Sequence, residues 1–213
     1  MPGTGVTPRR SGVVRLLAAL AALLAVSPAH ATPEQVLLLR HGHKDGVSGN
    51  YNLSPQGFAR AIALAALLPR CFGTPSQIRT FYLDPISSKN ARSYQTAVPL
   101  AVATGVNIAI DLASREDSFA AGRRIRDDPA FDRSRLVLFW EHRRLPELAA
   151  GLGWPSMRPI ADDDFDQLIL LRWRSPSSPP EVSHYSQSRL LDGHQRCPAA
   201  DTAAASAGAG PRP

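Results

Sequence analysis

Short runs of consecutive apolar residues alternate along this chain with longer segments whose apolar residues recur every three or four positions. A short continuous run is typical of a strand buried on both faces of a sheet, and the longer spacing is typical of an amphipathic helix. We therefore predict strands at residues 35–39, 80–83, 106–111 and 136–140, of which the first and the last suit the buried centre of a sheet. Strands that alternate with helices predict an α/β domain with a largely parallel sheet.

The helices are predicted from their end signals as well as from their spacing. Ser54 is a favourable N-cap, Pro55 suits the first helical position, and Pro69 is expected to end this helix. Further helices are predicted at residues 88–103, 119–126 and 145–152. Two late segments, 165–173 and 181–187, flank a stretch rich in Ser and Pro and predict a hairpin.

The N-terminal segment, residues 1–31, has the pattern of a secretory signal peptide. A basic start is followed by an apolar run at 16–26 and by small residues at Ala29 and Ala31. The run is too short to cross a bilayer comfortably, so we predict export to the periplasm or the medium, with no membrane span after removal of the signal. An uncleaved membrane anchor is the alternative.

The remaining chain is predicted to form one globular domain, residues 32–197, followed by a disordered tail. The tail, 198–213, consists mostly of Ala, Gly, Ser and Pro and has no apolar pattern to bury. Cys71 and Cys197 are the only cysteines, and in an oxidising compartment they can pair if the fold brings them together. They do not form a Cys-x-x-Cys arrangement, so the sequence supports neither structural zinc nor redox catalysis.

The charge balance narrows the class of ligand only slightly. The formal net charge is +6, and removal of Arg9, Arg10 and Arg15 with the signal would lower it to about +3. Such a mild, dispersed excess fits an anionic substrate but is too weak to indicate nucleic-acid binding. A solvated arginine-rich surface would produce the same excess.

Candidate catalytic residues follow two of the predicted strands. Ligands of open α/β sheets bind beyond the carboxyl ends of the strands. Arg40, His41 and Gly42 come directly after the first strand, and His142 comes just after the fourth. Arg92 lies near the start of a predicted helix. Guanidinium groups bind phosphoryl oxygens, a neutral imidazole can attack phosphorus, and a glycine lets the backbone approach a ligand closely.

Four segments with these residues resemble the motifs of one family, in its order. They are VLLLRHG (36–42), LSPQGFARA (53–61), SSKNARSYQTA (87–97) and LVLFWEH (136–142). Together they resemble the histidine phosphatase superfamily, which has the phosphoglycerate mutase-like fold, over residues 35–190. The resemblance implies a three-layer α/β/α domain with a mostly parallel central sheet.

The resemblance also implies roles for these residues. His41 matches the nucleophile that accepts the phosphoryl group, and Arg40, Arg92 and His142 match the rest of the phosphate pocket. Gly42 and Lys44 are expected to border the substrate. The implied activity is that of a histidine acid phosphatase-type phosphomonoesterase acting on a phosphorylated small molecule or a phosphoprotein. No metal or organic cofactor is implied, because side chains supply both the nucleophile and the electrophilic groups.

The proton donor is the point at which this sequence departs from the family. In one branch of the family a Glu lies between the second arginine and the second histidine, and Glu116 is the best positional match. In the other branch an acid follows the second histidine, whereas Arg143 stands there in this chain. Asp117 and Glu141 are the alternatives. A missing donor would favour substrates with good leaving groups.

Two other classes of function fit parts of the pattern. A relative that keeps the phosphate pocket but only binds a phosphorylated ligand needs no proton donor. His41 and His43 also resemble the His-x-His zinc pair of barrel hydrolases, but the chain is short for such a barrel, which needs roughly 250 residues, and the arginines would repel a metal. A mutase of the same fold would transfer the phosphate from the histidine to a second hydroxyl group and not to water.

Overall fold

The structure is a computed structural model that describes Gly3 and residues 32–198. The predicted signal peptide (apart from Gly3) and the predicted tail beyond Pro198 lie outside the described residues. None of the helices in this part of the chain is long and apolar enough to cross a membrane.

Six strands and five α-helices make up the described domain. The strands are β1 (Gln35–Arg40), β2 (Gln77–Thr80), β3 (Ile108–Ile110), β4 (Arg135–Trp140), β5 (Gln167–Arg172) and β6 (Glu181–Ser186). The helices are α1 (Pro55–Phe72), α2 (Ala91–Thr104), α3 (Ser118–Asp127), α4 (Leu145–Gly151) and α5 (Gln187–Leu191). Short 3₁₀ turns cover Leu112–Arg115, Pro129–Phe131 and His142–Arg144.

The strands form one mixed sheet in the order β3-β2-β4-β1-β5-β6. The first four strands in this order are parallel, and the predicted late hairpin adds β5 and β6 as antiparallel strands. The sheet is open, with β3 and β6 at its edges, so the barrel required by the His-x-His alternative is absent from the described residues.

Both faces of the sheet are covered, which confirms the predicted α/β class and its three layers. Alternate residues of β1 and β4 enter opposite cores because successive side chains of a strand point to opposite faces. One core packs Leu38 and Trp140 against α3 and α4. The other packs Leu39 and Phe139 against α1, α2 and α5. This arrangement explains why the central strands read as continuous apolar runs.

Helix α1 begins where predicted and ends later than predicted. The Ser54 hydroxyl accepts the N–H of Gly57, and Pro55 occupies the first turn. The prediction that Pro69 ends the helix is wrong, since the helix continues to Phe72. A proline interrupts only one backbone hydrogen bond near the end of a helix, and burial of Cys71 and Phe72 offsets that loss.

The second strand and the second helix lie a few residues away from their predicted positions. The strand occupies Gln77–Thr80 rather than 80–83, because its register is set by pairing with β3 and β4. The next apolar residues, Phe81 and Tyr82, pack on the core beyond the end of the strand. Helix α2 starts at Ala91 rather than 88, because Ser88 and Asn90 have left-handed φ angles of 60° and 70°. The Asp84 carboxylate organises this turn by accepting the N–H groups of Ile86 and Ser87.

Cys71 and Cys197 form a disulfide, a pairing that the sequence left open. Their Cα atoms are 4.8 Å apart, and 126 residues separate them along the chain. The bond ties the last turn of α1 to the end of the described chain. Such a long closed loop restricts the unfolded chain strongly.

Reduction of this disulfide should lower the free energy of unfolding by up to about 4–5 kcal/mol, because the reduced chain regains loop entropy when it unfolds. Urea unfolding with and without dithiothreitol measures the difference. A Cys71→Ser, Cys197→Ser double variant is the control, since its midpoint should be low and insensitive to the reductant. Equal stability of the oxidised and reduced wild-type protein would contradict this expectation.

Candidate active site

The site lies at the carboxyl ends of β1 and β4, which are neighbours in the sheet. Arg40 is the register partner of Trp140, so the residues that follow each strand start side by side. The His41 N–H donates to the Trp140 carbonyl over 3.2 Å. The rings of His41 and His142 lie edge to face, with centroids 6.2 Å apart.

His41 is held as a buried, neutral imidazole. Its Nδ1 lies 2.7 Å from the Gly42 carbonyl oxygen, so Nδ1 carries the proton and donates it, and Nε2 keeps a lone pair. Burial lowers the pKa of His41 to about 4, helped by the positive charges of Arg40 and Arg92 and opposed by the bond to the Gly42 carbonyl. At neutral pH, Nε2 is therefore available as a nucleophile.

Two glycines allow the segment after β1 to pack against the start of α1. A Cβ on Gly42 would lie 3.0 Å from both the Gly57 carbonyl oxygen and the Leu53 Cδ2. A Cβ on Gly57 would lie 2.5 Å from the His43 carbonyl oxygen. Packing thus supplies a reason for glycine at position 42 beside the ligand approach expected from the sequence. It also explains the glycine of the LSPQG segment.

Arg92 lies in the first turn of α2 and is tied to the segment after β1. The Thr96 hydroxyl accepts the Gly42 N–H over 2.8 Å and donates to the Arg92 carbonyl over 2.7 Å. The Arg92 Nη1 donates to the Asn50 carbonyl over 2.8 Å, which leaves its other N–H groups for a ligand. The helix therefore delivers a half-buried guanidinium beside His41.

Arg40 is buried and held by a loop that the sequence pattern did not indicate. Its Nη1 donates to the carbonyls of Ala161 and Asp164, and its Nη2 donates to that of Asp162. The Phe165 ring lies 3.8 Å from its Cζ, in cation–π contact. The Arg40 Nε is buried and has no hydrogen-bond partner.

His142 is also buried, with a carboxylate near each ring nitrogen. Its Nε2 lies 2.6 Å from Asp162 Oδ1. Its Nδ1 lies 2.9 Å from Glu141 Oε1 but outside the angular range of a hydrogen bond, so this buried atom has no bonded partner. Buried nitrogens are normally hydrogen-bonded. Arg40 and His142, the residues beside His41, each have one buried nitrogen without a hydrogen-bond partner.

The three candidate proton donors lie in different surroundings. The Glu116 side chain is 83% exposed and pairs with Arg115. Asp117 caps α3 by accepting the Ala120 N–H over 2.7 Å, which is a structural role. Glu141 is only 22% exposed and is the candidate that contacts His142.

The remaining predicted residues lie at the border of the site. Lys44 is exposed and follows the buried Gly42 by two residues. The His43 ring stacks on Phe165 at a centroid distance of 4.3 Å. Sequence reasoning missed Asp162 and Phe165, because the Ala161–Asp164 stretch reads as an ordinary acidic loop, and it gave no role to Thr96.

No known family model matches the chain, and neither does any curated protein. Among solved structures, the protein histidine phosphatase SixA complexed with tungstate superposes with a TM-score of 0.51 at 14% identity, covering 73% of this chain and 99% of that one. The chain has the histidine phosphatase fold.

Two further structures with the histidine phosphatase fold superpose less closely. A mycobacterial glucosyl-3-phosphoglycerate phosphatase, Rv2419c, gives a TM-score of 0.48 at 18% identity and covers 72% of this chain and 97% of that one. A phosphoglycerate mutase from Plasmodium falciparum gives 0.45 at 14% identity, covering 74% and 92%. The superposition on the SixA structure confirms, at the level of the fold, the resemblance drawn from the four sequence motifs.

The buried state of His41 should be visible in its titration. Its pKa is about 4 in the folded protein against 6.5 for an ordinary histidine, so between these values the unfolded chain binds more protons. The free energy of unfolding should therefore fall as the pH drops from about 6.5 to about 4, by roughly 3 kcal/mol for this group. NMR of the imidazole C–H protons measures the pKa, with His41→Asn to assign the signal. A His41 midpoint near 6.5 would refute the assignment.

Proposed function

We propose that this protein hydrolyses phosphomonoesters through a phosphohistidine formed on the Nε2 of His41. The observation that carries the proposal is the neutral, buried imidazole of His41, whose Nδ1 is bonded to the Gly42 carbonyl and whose pKa is lowered by burial and by the positive charges of Arg40 and Arg92. One structural neighbour of the same fold is a protein histidine phosphatase complexed with tungstate, a tetrahedral oxyanion like phosphate.

The reaction takes two steps on the same nitrogen. In the first, the Nε2 lone pair attacks phosphorus, the bond from phosphorus to the ester oxygen breaks, and the leaving oxygen takes a proton from an acidic side chain or from solvent so that the alcohol departs. In the second, water attacks the phosphohistidine, the phosphorus–nitrogen bond breaks, and inorganic phosphate leaves with His41 restored. The proton stays on Nδ1 throughout, and its hydrogen bond to the Gly42 carbonyl stabilises the positive charge that the ring gains.

The other residues bind the charge that moves during transfer. Arg40 would use its partner-free Nε, and Arg92 the N–H groups that do not face Asn50. His142 would direct its unbonded Nδ1 at a phosphoryl oxygen while Asp162 holds its Nε2. Because the bonds to the 161–164 carbonyls and to Asn50 already orient these groups, little reorganisation is needed when charge develops.

We also propose that the protein works outside the cytoplasm. The support is the signal-like sequence of residues 1–31 together with the disulfide between Cys71 and Cys197, since such bonds persist in oxidising compartments. The proposed substrate is a phosphorylated small molecule or a phosphoprotein.

A binding-only relative is the second candidate function. The observation that favours it is that the side chain of Glu116, the expected proton donor, is 83% exposed and pairs with Arg115. The open sheet of the described residues does not form the barrel that the metal-hydrolase alternative requires. Within residues 32–198, no three His, Cys, Asp or Glu side chains cluster as metal ligands would.

Turnover of p-nitrophenyl phosphate with a chelator present tests the proposal. We expect activity in the mature chain, a loss of at least about a thousandfold in His41→Ala, and near-wild-type activity in His194→Ala, a matched change at an exposed histidine. Rapid quenching followed by mass spectrometry should find phosphate on His41. Phosphate binding without turnover would instead support the binding-only relative, and chelator-sensitive turnover would contradict the mechanism.

A further inference from the structure

Glu141 has one carboxylate oxygen fixed by the backbone and the other turned toward the phosphate pocket. Its Oε2 accepts the Arg143 N–H over 2.8 Å, in the cap of the short turn that follows β4. Its Oε1 lies 2.9 Å from His142 Nδ1, the buried nitrogen without a bonded partner. A phosphoryl oxygen bound at that nitrogen would therefore lie next to Oε1.

A cavity next to Glu141 has room for the leaving alcohol of a phosphoester. This cavity of about 360 Å³ is lined by Glu141, by residues that follow β2 and β4, such as Tyr82 and Arg143, and by Lys89 in the turn before α2. Glu141 is thus shared between this cavity and His142. Consider a phosphoester whose phosphoryl group lies at His142 and whose alcohol lies in the cavity. Its bridging oxygen would then lie next to the Glu141 carboxyl.

We propose that Glu141 is the general acid that protonates the leaving oxygen, and that the alcohol part of the substrate occupies this cavity. The proposal rests on the phosphohistidine mechanism and deepens it. In the first step the Glu141 carboxyl gives its proton to the ester oxygen as the bond from phosphorus to oxygen breaks. In the second step the carboxylate takes a proton from the water that attacks phosphorus, so each cycle returns Glu141 to its starting state.

The surroundings of Glu141 change when a phosphate binds. In the free protein its pKa lies below the usual range: burial raises it, but His142, the Arg143 N–H and His41 outweigh burial. A phosphoryl dianion beside Oε1 adds negative charge at close range, which raises the pKa of the carboxyl. Substrate binding therefore favours the protonated form that catalysis requires.

Glu116 provides a matched comparison because it is the donor that the sequence favoured. Its side chain is 83% exposed, and its carboxylate pairs with Arg115, which lines the same cavity. A Glu→Gln change removes one titratable proton at either position. At position 141 the Gln side-chain oxygen can still accept the Arg143 N–H, so the cap is kept.

The test compares Glu141→Gln with Glu116→Gln on ethyl phosphate and on p-nitrophenyl phosphate. Because the alkyl leaving group needs a proton and the nitrophenolate does not, Glu141→Gln should lower ethyl phosphate turnover by about 100-fold or more and p-nitrophenyl phosphate turnover by less than about tenfold. Glu116→Gln should leave both rates near wild type. Glu141→Asp, with a shorter acid, should retain more ethyl phosphate activity than Glu141→Gln.

Three results would overturn the assignment. They are an equal loss on both esters in Glu141→Gln, a loss confined to ethyl phosphate in Glu116→Gln, or a wild-type protein that cleaves aryl esters but not ethyl phosphate. Each is distinguishable from failure of the phosphohistidine mechanism, because in all three cases the wild-type protein would still turn over p-nitrophenyl phosphate and would lose that turnover in His41→Ala. Thermal unfolding of each variant separates a lost acid from a lost fold.

Discussion

The parallel pairing of β1 with β4 is the interaction on which the site depends. Two residues more than ninety positions apart, His41 and His142, become neighbours because Arg40 and Trp140 are partners in the sheet. Both strands are buried between two apolar cores, so their register is set by packing on both faces. A slip of one residue would turn Leu38 and Trp140 out of their core and would separate the two histidines.

A second constraint is the burial of ionisable groups in the site. Arg40, His41 and His142 are all nearly inaccessible, and burial of a charge is costly unless it is paired. The chain meets this constraint with backbone carbonyl groups as well as with carboxylates. Backbone carbonyls of the 161–164 loop hold Arg40, and the Gly42 carbonyl holds His41 in its neutral form. The groups are thus oriented before any substrate binds, so the proposed reaction needs little reorganisation of the site.

Local pattern predicted those parts of the fold whose signals are local. The apolar runs of β1 and β4, the Ser54-Pro55 helix start and the late hairpin all appear as expected. The misplaced β2 and the continuation of α1 past Pro69 have a common cause: pairing and burial outweighed local preference. Site residues beside strand ends were predictable from motifs, whereas Asp162 and Phe165 come from a loop whose sequence carries no such signal.

By itself, the sequence determined the fold class, the order of the elements and the identity of the residues that follow each central strand, because these depend on short-range periodicity and on recognisable segments. Only the tertiary structure decided which distant groups meet. It joined Cys71 to Cys197, put Asp162 on His142, and left Glu116 in solvent while Glu141 faced the pocket. The physical reason is that contacts between remote residues follow from strand register and core packing, and neither is encoded within a single window of the chain.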